Sequence, residues 1–552
     1  MIGKVKELYT QRIKRGIVRR LNLIHIRRMA RRVSQSEPQP AGAPVVFFKA
    51  STGMDDLSWN SGFHLLASWA LRLRGIPVAY FACQSGMSKC VLGTNRDHPQ
   101  KAMPCKSCVM QSRALYENVK TLKRLNVKTL ERWNVEGSRV NWFEFERDVE
   151  MEETLRALPL YGLVDFTWRE IPLGKLCLPA LRWILRIHHL NDDENTRYLL
   201  REYILSAWNM AQKFSSFLDA VQPRAVVVFN GQFFPEATAR YIAQQRGLRV
   251  ITHEVGFQPA TAFFTEGEAT ASPIPLPADF ELSAEQNAQL DSYLAKRFQG
   301  DFTMAGIKFW AGMKGLDEAF LKKAADFKQI VPVFTNVIFD TSQPHANTVF
   351  EDMFDWLDMT LEVIRAHRET LFVIRAHPDE LRVRKASRET VAGWVEARNV
   401  NSEPNVLFIP PQETLSSYEL IQKSKFVMVY NSTIGLEAAI LGAAVLSAGR
   451  SRFTQIPIVF FPQTIEEIRK KTEEFLNAEK IEVPAEFQRN ARQLLYYQLY
   501  KTSLPFGNFL QPSVRTTQAT LKSFSPQTLL HAPALEAIAR GLLEGGDFTL
   551  PH

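Results

Sequence analysis

The chain has 552 residues, 45% of them hydrophobic and 23% charged, a balance that suits a globular protein with room for two domains. No uninterrupted apolar run approaches the ~20 residues needed to cross a bilayer, so no spanning helix is expected. The formal net charge of +9 is carried by one segment: residues 1–33 hold eleven Lys or Arg against one acid, Glu7, and the rest is close to neutral. A nucleic-acid groove, which spreads its basic residues along a surface, is therefore disfavoured.

In that segment Val5, Leu8, Ile13, Ile17, Leu21, Ile24, Ile26 and Met29 alternate with basic residues at roughly helical spacing. An apolar stripe beside a cationic face is the pattern of a helix lying on an anionic membrane surface. A basic tail without structure, or a helix packed on the body, is the plainer reading. A secretory signal is not expected, because no continuous apolar core or cleavage site is present. The Pro-rich stretch at residues 34–44 reads as a linker.

Residues 45–49 predict a short buried strand, residues 62–74 a helix and residues 78–82 a second strand. The loop after the first strand, with Asp55 and Asp56, has one glycine and no dinucleotide fingerprint. Cys83, Cys90, Cys105 and Cys108 follow, spaced C-x6-C-x14-C-x2-C. Four thiols this close could form a tetrahedral structural zinc site, with free buried thiols and a disulfide pair as the alternatives. Residues 109–222 read mostly as a helical insertion without evident chemistry. The strand–helix–strand alternation returns at residues 225–252, with Asn230 and the run His253, Glu254, Val255, Gly256 at the strand tips. Residues 259–277 read as loop and 284–327 as helix.

A second α/β unit opens at residues 330–334, whose strand leads to Thr335 and Asn336. Further strands are expected at 371–374, ending in Arg375, Ala376, His377 and Pro378, and at 405–409. The run 425–430 is another, ending in Asn431, Ser432 and Thr433 before a helix that carries Gly435 and Glu437. By the crevice rule for open α/β sheets these strand ends face one ligand. Free amides at a helix start, an imidazole and small hydroxyls suit a phosphate. The residues after 463 read as helices bracing the two units. The expected organisation is a basic segment and linker (1–44), a first Rossmann-like domain (45–275) and a helical connector (276–329). A second Rossmann-like, nucleotide-binding domain (330–463) and C-terminal helices (464–552) complete it.

Two doubly wound domains facing a cleft make a GT-B-like α/β fold. On Arg375-Ala-His377-Pro378, Asn431-Ser432-Thr433-x-Gly435-x-Glu437-Ala438, Gly442-x-x-Val445 and Glu254-x-Gly256, the chain resembles bacterial capsular and exopolysaccharide glycosyltransferases, the group that includes capsule Kdo transferases. The resemblance spans roughly residues 225–450. It implies transfer of a sugar from a CMP-, UDP- or GDP-linked donor to a polysaccharide or lipid-linked acceptor, at the cytoplasmic face of the plasma membrane. It also implies that His377, Ser432 and Thr433 hold the donor phosphate and that Glu437 meets the ribose. The chemistry needs positive charge and N–H donors at the leaving oxygen, which Arg375, His377 and the turn can supply without a catalytic cofactor. It also needs a base at the acceptor hydroxyl: Glu254 first, His253 beside it, and Glu236 and Asp55 or Asp56 as rivals. A clear acidic motif of the Kdo enzymes is absent from residues 45–60. Teichoic-acid-type glycerophosphotransferases share the His-Pro pair and the Ser-rich turn, so polyol-phosphate transfer is the alternative chemistry, and a non-catalytic nucleotide-sugar scaffold the other.

Overall fold

A computed structural model describes residues 2–50, 56–116, 138–271, 273–300, 313–382 and 385–551, with side chains from residue 13 onward except at 138 and 139. Asp55, Val5 and Leu8 therefore lie outside the described residues or side chains.

The first sheet grows from β-branched and aromatic runs that are buried on both faces, as parallel strands covered by helices are. Its strands are β1 (Val45–Lys49), β2 (Val78–Cys83), β3 (Ser138–Phe143), β4 (Ala225–Phe229), β5 (Arg249–Val255) and β6 (Thr261–Glu266). β1 pairs in parallel with β2, Val45 opposite Val78, and with β4, Val45 opposite Ala225. The spatial order is β6-β5-β4-β1-β2-β3, so the order reverses between β1 and β4. The second sheet contains β7 (Gln329–Phe334), β8 (Thr370–Arg375), β9 (Val406–Ile409), β10 (Val427–Val429) and β11 (Val445–Ser447). It is parallel throughout, ordered β11-β10-β7-β8-β9, and reverses between β7 and β10. Two Rossmann-type sheets thus form one α/β molecule of the GT-B-like kind.

Three stretches differ from the sequence expectation. β5 runs on through His253 and Glu254, which are strand residues rather than loop-tip residues. The chain then turns at Ala260, in left-handed conformation with φ 55°, and returns as β6, antiparallel to β5, where a loop was expected. Its run of Phe and Thr residues finds half its partners in β5, which a local reading could not supply. β3 lies inside the stretch expected to be helical, and pairs in parallel with β2. The C-terminal region is also not all helix. After the helix Ala485–Tyr496 the chain crosses back to the first lobe, where β12 (Leu504–Pro505) pairs with β6. β13 (Leu510–Pro512) and β14 (Ala519–Leu521) form a small hairpin beyond it.

The basic segment is one helix, α1 (Ile2–Ser36). Ile26, Met29, Ala30 and Val33 are buried in the first lobe's core. Asn22 is buried beside them, donating to Asp56 Oδ1 at 3.0 Å and accepting the Leu521 N–H at 3.0 Å. Asp56 also accepts from Leu57 N–H and the Ser513 hydroxyl, so it ties α1 to the body. Ile13, Ile17, Leu21 and Ile24 remain between 49% and 62% exposed. At about 100° per residue they fall on the side opposite the buried face. Among the described residues no helix is long and apolar enough to cross a membrane.

The lobes also touch directly on one side. The Glu389 carboxylate accepts the backbone N–H groups of His188 and His189, at 2.7 and 3.1 Å. The His189 ring bridges Glu389 (2.5 Å) and Asp352 (2.8 Å), the residue that caps the helix Met353–Ala366. The Arg186 guanidinium sits 3.9 Å from the Trp183 ring centre and 5.2 Å from that of Phe339 in the other lobe. Burial pulls the His189 pKa down, but the bond and charge of Glu389 together with Asp352 outweigh it and leave it above the ordinary 6.5. A raised pKa contributes stability that is complete below about 6.5 and is lost as pH rises through the raised value. The melting-temperature gap between wild type and His189→Gln is therefore expected to narrow as pH climbs through that window, and a constant gap would contradict the bridge.

Candidate functional site

Because β1 to β5 of the first sheet and all of the second run parallel, the C-terminal ends of those strands collect on one edge of each. A cleft of about 540 Å³ lies there, of the size that holds small ligands. The second lobe supplies Asn336, His377, Asn431, Ser432 and Thr433, and the first supplies Arg240, Phe257 and Glu268. A smaller side pocket of about 90 Å³ shares His377, Ser432 and Thr433 with the cleft and adds Thr335, Arg375, Pro378, Tyr418, Arg297 and Glu437. His377, Ser432 and Thr433 thus stand at the junction of the two spaces.

Their surroundings set them in place. Asn336 donates to Asn431 Oδ1 at 2.7 Å across the strand-order reversal, bracing the ends of β7 and β10. The Thr335 hydroxyl donates to the Arg375 carbonyl at 2.9 Å, fixing the end of β8. Pro378 opens a tight 3-10 turn in which the Asp379 N–H donates to His377 Nδ1 at 3.1 Å. An accepting Nδ1 leaves the neutral ring's proton on Nε2. Burial pushes the His377 pKa below the usual value, so the neutral N–H donor is the form present near pH 7. The backbone N–H groups and hydroxyls of Ser432 and Thr433 have no acceptor among the described residues. Gly435 lets the helix Ile434–Ile440 close on the sheet, since a Cβ there would stand 3.0 Å from Phe453 and 3.1 Å from Val429.

Two further residues are committed to structure. The Arg375 guanidinium donates to the carbonyls of Leu415 (2.5 Å) and Glu413 (3.3 Å), and burial pushes its pKa down to about 10. Glu437 pairs with Arg297 at 2.5 Å and accepts from the Tyr418 hydroxyl, with Arg297 and Glu437 only 7% and 5% exposed. That pair forms a charged wall of the side pocket.

On the first lobe Glu254 is half-buried at the end of β5. Its Oε1 accepts from Asn60 Nδ2 (2.7 Å) and the Val255 N–H (2.9 Å), and its Oε2 from Asn230 Nδ2 (3.0 Å). A carboxylate with three donors is held rigidly and keeps about one acceptor position open. His253, its neighbour in the strand, points the other way. It is fully buried, with Nε2 3.1 Å from His64 Nδ1, and burial lowers its pKa far below the usual value. Neither His253 nor Glu254 lines either space. Asp56 faces α1, as described above. Under this edge lie Lys49 and Glu236, both at 4% exposure. Burial lowers the lysine pKa and raises that of the glutamate, each offset in part by the charge of the other.

Sequence reading missed Arg240, Glu268, His345, Arg450 and Arg452. Glu268 pairs with Arg240 of its own lobe and with His345 of the other. Arg452 donates to the Ala269 carbonyl and stands 4.6 Å from the Phe263 ring centre. Burial lowers its pKa to about 10, which leaves it cationic at neutral pH. Arg450 and Arg452 follow β11 directly, so their place after a strand was a usable signal. The four cysteines Cys83, Cys90, Cys105 and Cys108 border a separate small cavity in the first lobe. Among the described residues, the set of His, Cys, Asp and Glu groups whose donor atoms all lie within 4.8 Å is His188, His189 and Asp352.

The buried pair makes its own test. Removing one partner of a buried ion pair costs about 3–5 kcal/mol, because the other charge is left unpaired, whereas an apolar replacement of both is close to neutral. Glu437→Ala is expected to lower stability by that amount in urea unfolding, and the double variant Arg297→Met with Glu437→Leu to restore most of it.

No protein-family model matches this chain. No curated protein matches it either. Among solved structures it is similar to the KpsC beta Kdo 2,4 transferase of Thermosulfurimonas dismutans, with 13% identity, 51% of this chain and 80% of that one covered, and a TM-score of 0.33. For the beta Kdo 2,7 transferase KpsC of the same organism the values are 14%, 53%, 81% and 0.27. For the UDP-GlcNAc 2-epimerase of Neisseria meningitidis bound to UDP-GlcNAc they are 13%, 83%, 99% and 0.23. At these identities and scores the likeness carries no argument, and the two-sheet α/β fold rests on the strand pairing itself.

Proposed function

We propose that the chain is a glycosyltransferase that moves a sugar from a nucleotide-sugar donor to a nascent or lipid-linked surface polysaccharide. The observation that carries this is the junction of cleft and side pocket, where His377 Nε2–H and the hydroxyls and amides of Ser432 and Thr433 stand without acceptors. Donors fixed before the ligand arrives are what a departing nucleotide phosphate needs as its charge develops. In this reading the side pocket takes the nucleoside against Tyr418, and Glu437, already held by Arg297, accepts from the ribose. The sugar lies in the cleft toward the first lobe. Glu254, fixed by Asn60 and Asn230, takes the proton of the acceptor hydroxyl with its open lone pair. Arg452 and Arg240 add positive charge along the same cleft.

A panel of CMP, CDP, UDP and GDP tests the reading by thermal shift, because a ligand bound only by the folded state stabilises by about 2.7 kcal/mol at about 100 times its Kd. At least one nucleotide is expected to raise the melting temperature. His377→Ala is expected to weaken it about tenfold or more, the worth of a hydrogen bond to a charged group, roughly 1.5–3 kcal/mol. No shift with any nucleotide overturns the proposal. Consumption of CDP-glycerol but of no sugar nucleotide would make the chain a polyol-phosphate transferase. Binding with no donor consumed in the presence of acceptor would make it a scaffold.

The acceptor side of the reading rests on α1. Its exposed Ile13, Ile17, Leu21 and Ile24 are flanked by exposed Lys14, Arg20, Arg27, Arg28 and Arg31, on the face turned from the body. We infer that this face lies on an anionic bilayer and brings the cleft to a membrane-borne acceptor. The full chain is expected to float with vesicles containing phosphatidylglycerol and much less with phosphatidylcholine alone. Ile17→Glu with Leu21→Glu is expected to abolish flotation without changing nucleotide binding; equal flotation on both lipids would count against it.

A further inference from the structure

The helix α2 (Trp59–Leu73) precedes β2, and residues 84–104 connect β2 to the helix α3 (Cys105–Tyr116) and contain no helix or strand. Irregular connections of that length inside a compact lobe are uncommon, and something other than backbone pairing must hold them. Cys83 ends β2, Cys90 lies in the connection, and Cys105 and Cys108 occupy the first turn of α3. All four border one cavity of about 30 Å³, whose other walls include Met87, Leu92, Met103 and Val109. No disulfide joins them. The space would take one water, but a buried water needs two to four polar partners, and the walls are sulfur and hydrocarbon apart from Ser85, whose side chain is bonded to Cys105. Soft sulfur donors around a small, nearly non-polar space match a thiophilic metal.

The backbone is arranged for thiolates. The first two cysteines each begin a Cys-x-x-Gly turn, Cys83 to Gly86 and Cys90 to Gly93. In each, the glycine N–H donates to the cysteine Sγ at 3.2 Å. Such outer bonds orient a metal-bound sulfur and stabilise its charge. Position 93 is crowded as well: a Cβ there would stand 3.0 Å from Cys90 Sγ and 3.1 Å from Met103 Sδ. The Cys90 N–H in turn donates to Met103 Sδ at 3.0 Å, drawing the far end of the connection to the same point.

We propose that Cys83, Cys90, Cys105 and Cys108 bind a thiolate-held metal centre that staples residues 84–104 to the end of β2 and the start of α3. The centre is a zinc ion or an iron–sulfur cluster, both of which take four cysteine thiolates. Zinc binding would release the thiol protons and form four Zn–S bonds with no change of oxidation state. No three of these four sulfurs lie within 4.8 Å of one another. A single zinc ion, with Zn–S bonds of about 2.3 Å, would draw them inward to about 3.8 Å, whereas a cluster holds them further apart.

Full-length protein purified without oxygen or chelator is assayed for zinc, iron and acid-labile sulfide. Its cysteines are counted with a thiol reagent before and after chelation. Stoichiometric metal is expected, with four thiols that react only after chelation. Zinc without sulfide identifies the single ion; iron with matching sulfide and visible charge-transfer absorption identifies the cluster. Cys105→Ser and Cys108→Ser are expected to lose the metal by more than the roughly 10–100-fold that outer-shell changes cost. Cys177→Ser, in the fully buried face of the helix Leu173–Leu185, is expected to keep it. Chelation of the wild-type chain gives a reading that does not depend on how the serine variants fold: the melting temperature falls and returns when metal is restored. A metal-free chain whose four thiols react at once in the native state, or are joined as disulfides, overturns the proposal.

Discussion

The central strand β7 pairs in parallel with β8 on one side and β10 on the other, and the cleft depends on that double pairing. Connections to and from a central parallel strand leave in opposite directions, so its C-terminal end opens a crevice that no crossover fills. Asn336 and Asn431 close a hydrogen bond across the opening and fix its width. The His377 imidazole and the Ser432–Thr433 turn are then presented on either side of one gap. The bond extends the pairing of β7 and β10, whose last rung is the Tyr430 N–H donating to the Phe334 carbonyl at 3.3 Å, out to the loop residues that carry the donors.

Commitment and freedom among the polar groups divide the site. Arg375, Glu437 and Glu254 are engaged by partners that hold them still. The His377 N–H and the turn at 432–433 have no such partners. Groups of the first kind give shape and field, while groups of the second kind are available for a ligand. An engaged carboxylate such as Glu437 still has lone-pair capacity left open beside Arg297 and Tyr418.

Much of the architecture was legible because buried parallel strands announce themselves as short β-branched runs. The runs at 45–49, 225–229 and 371–374 lie within or coincide with observed strands. β3 was not legible, because Ser138-Arg-Val-Asn-Trp-Phe is a short run opening on two polar residues, lies inside a stretch of helices and occupies a sheet edge. β6 depends on β5, and β12 on β6, so neither carried a local signal. At the site, the residue types on the strand ends were readable, since strand order alone brings them together. Their partners were not: Arg297 stands 140 positions from Glu437, and Asn60 stands 194 from Glu254. Sequence spacing also could not show that His253 faces the core while Glu254 faces outward. That follows from the strand continuing to Val255.

The return of the chain to its first sheet has a consequence for biosynthesis. β6 is an edge strand until Leu504 and Pro505 lie against it, and an uncovered edge invites pairing with a neighbouring chain. About 240 residues separate the two, so at ribosomal rates of about 5–20 residues per second the edge stays bare for roughly 12–50 s. During that interval the nascent polypeptide presents a sticky strand beside a basic, half-apolar helix, and early shielding by a chaperone or by the bilayer itself would favour solitary, correctly paired copies.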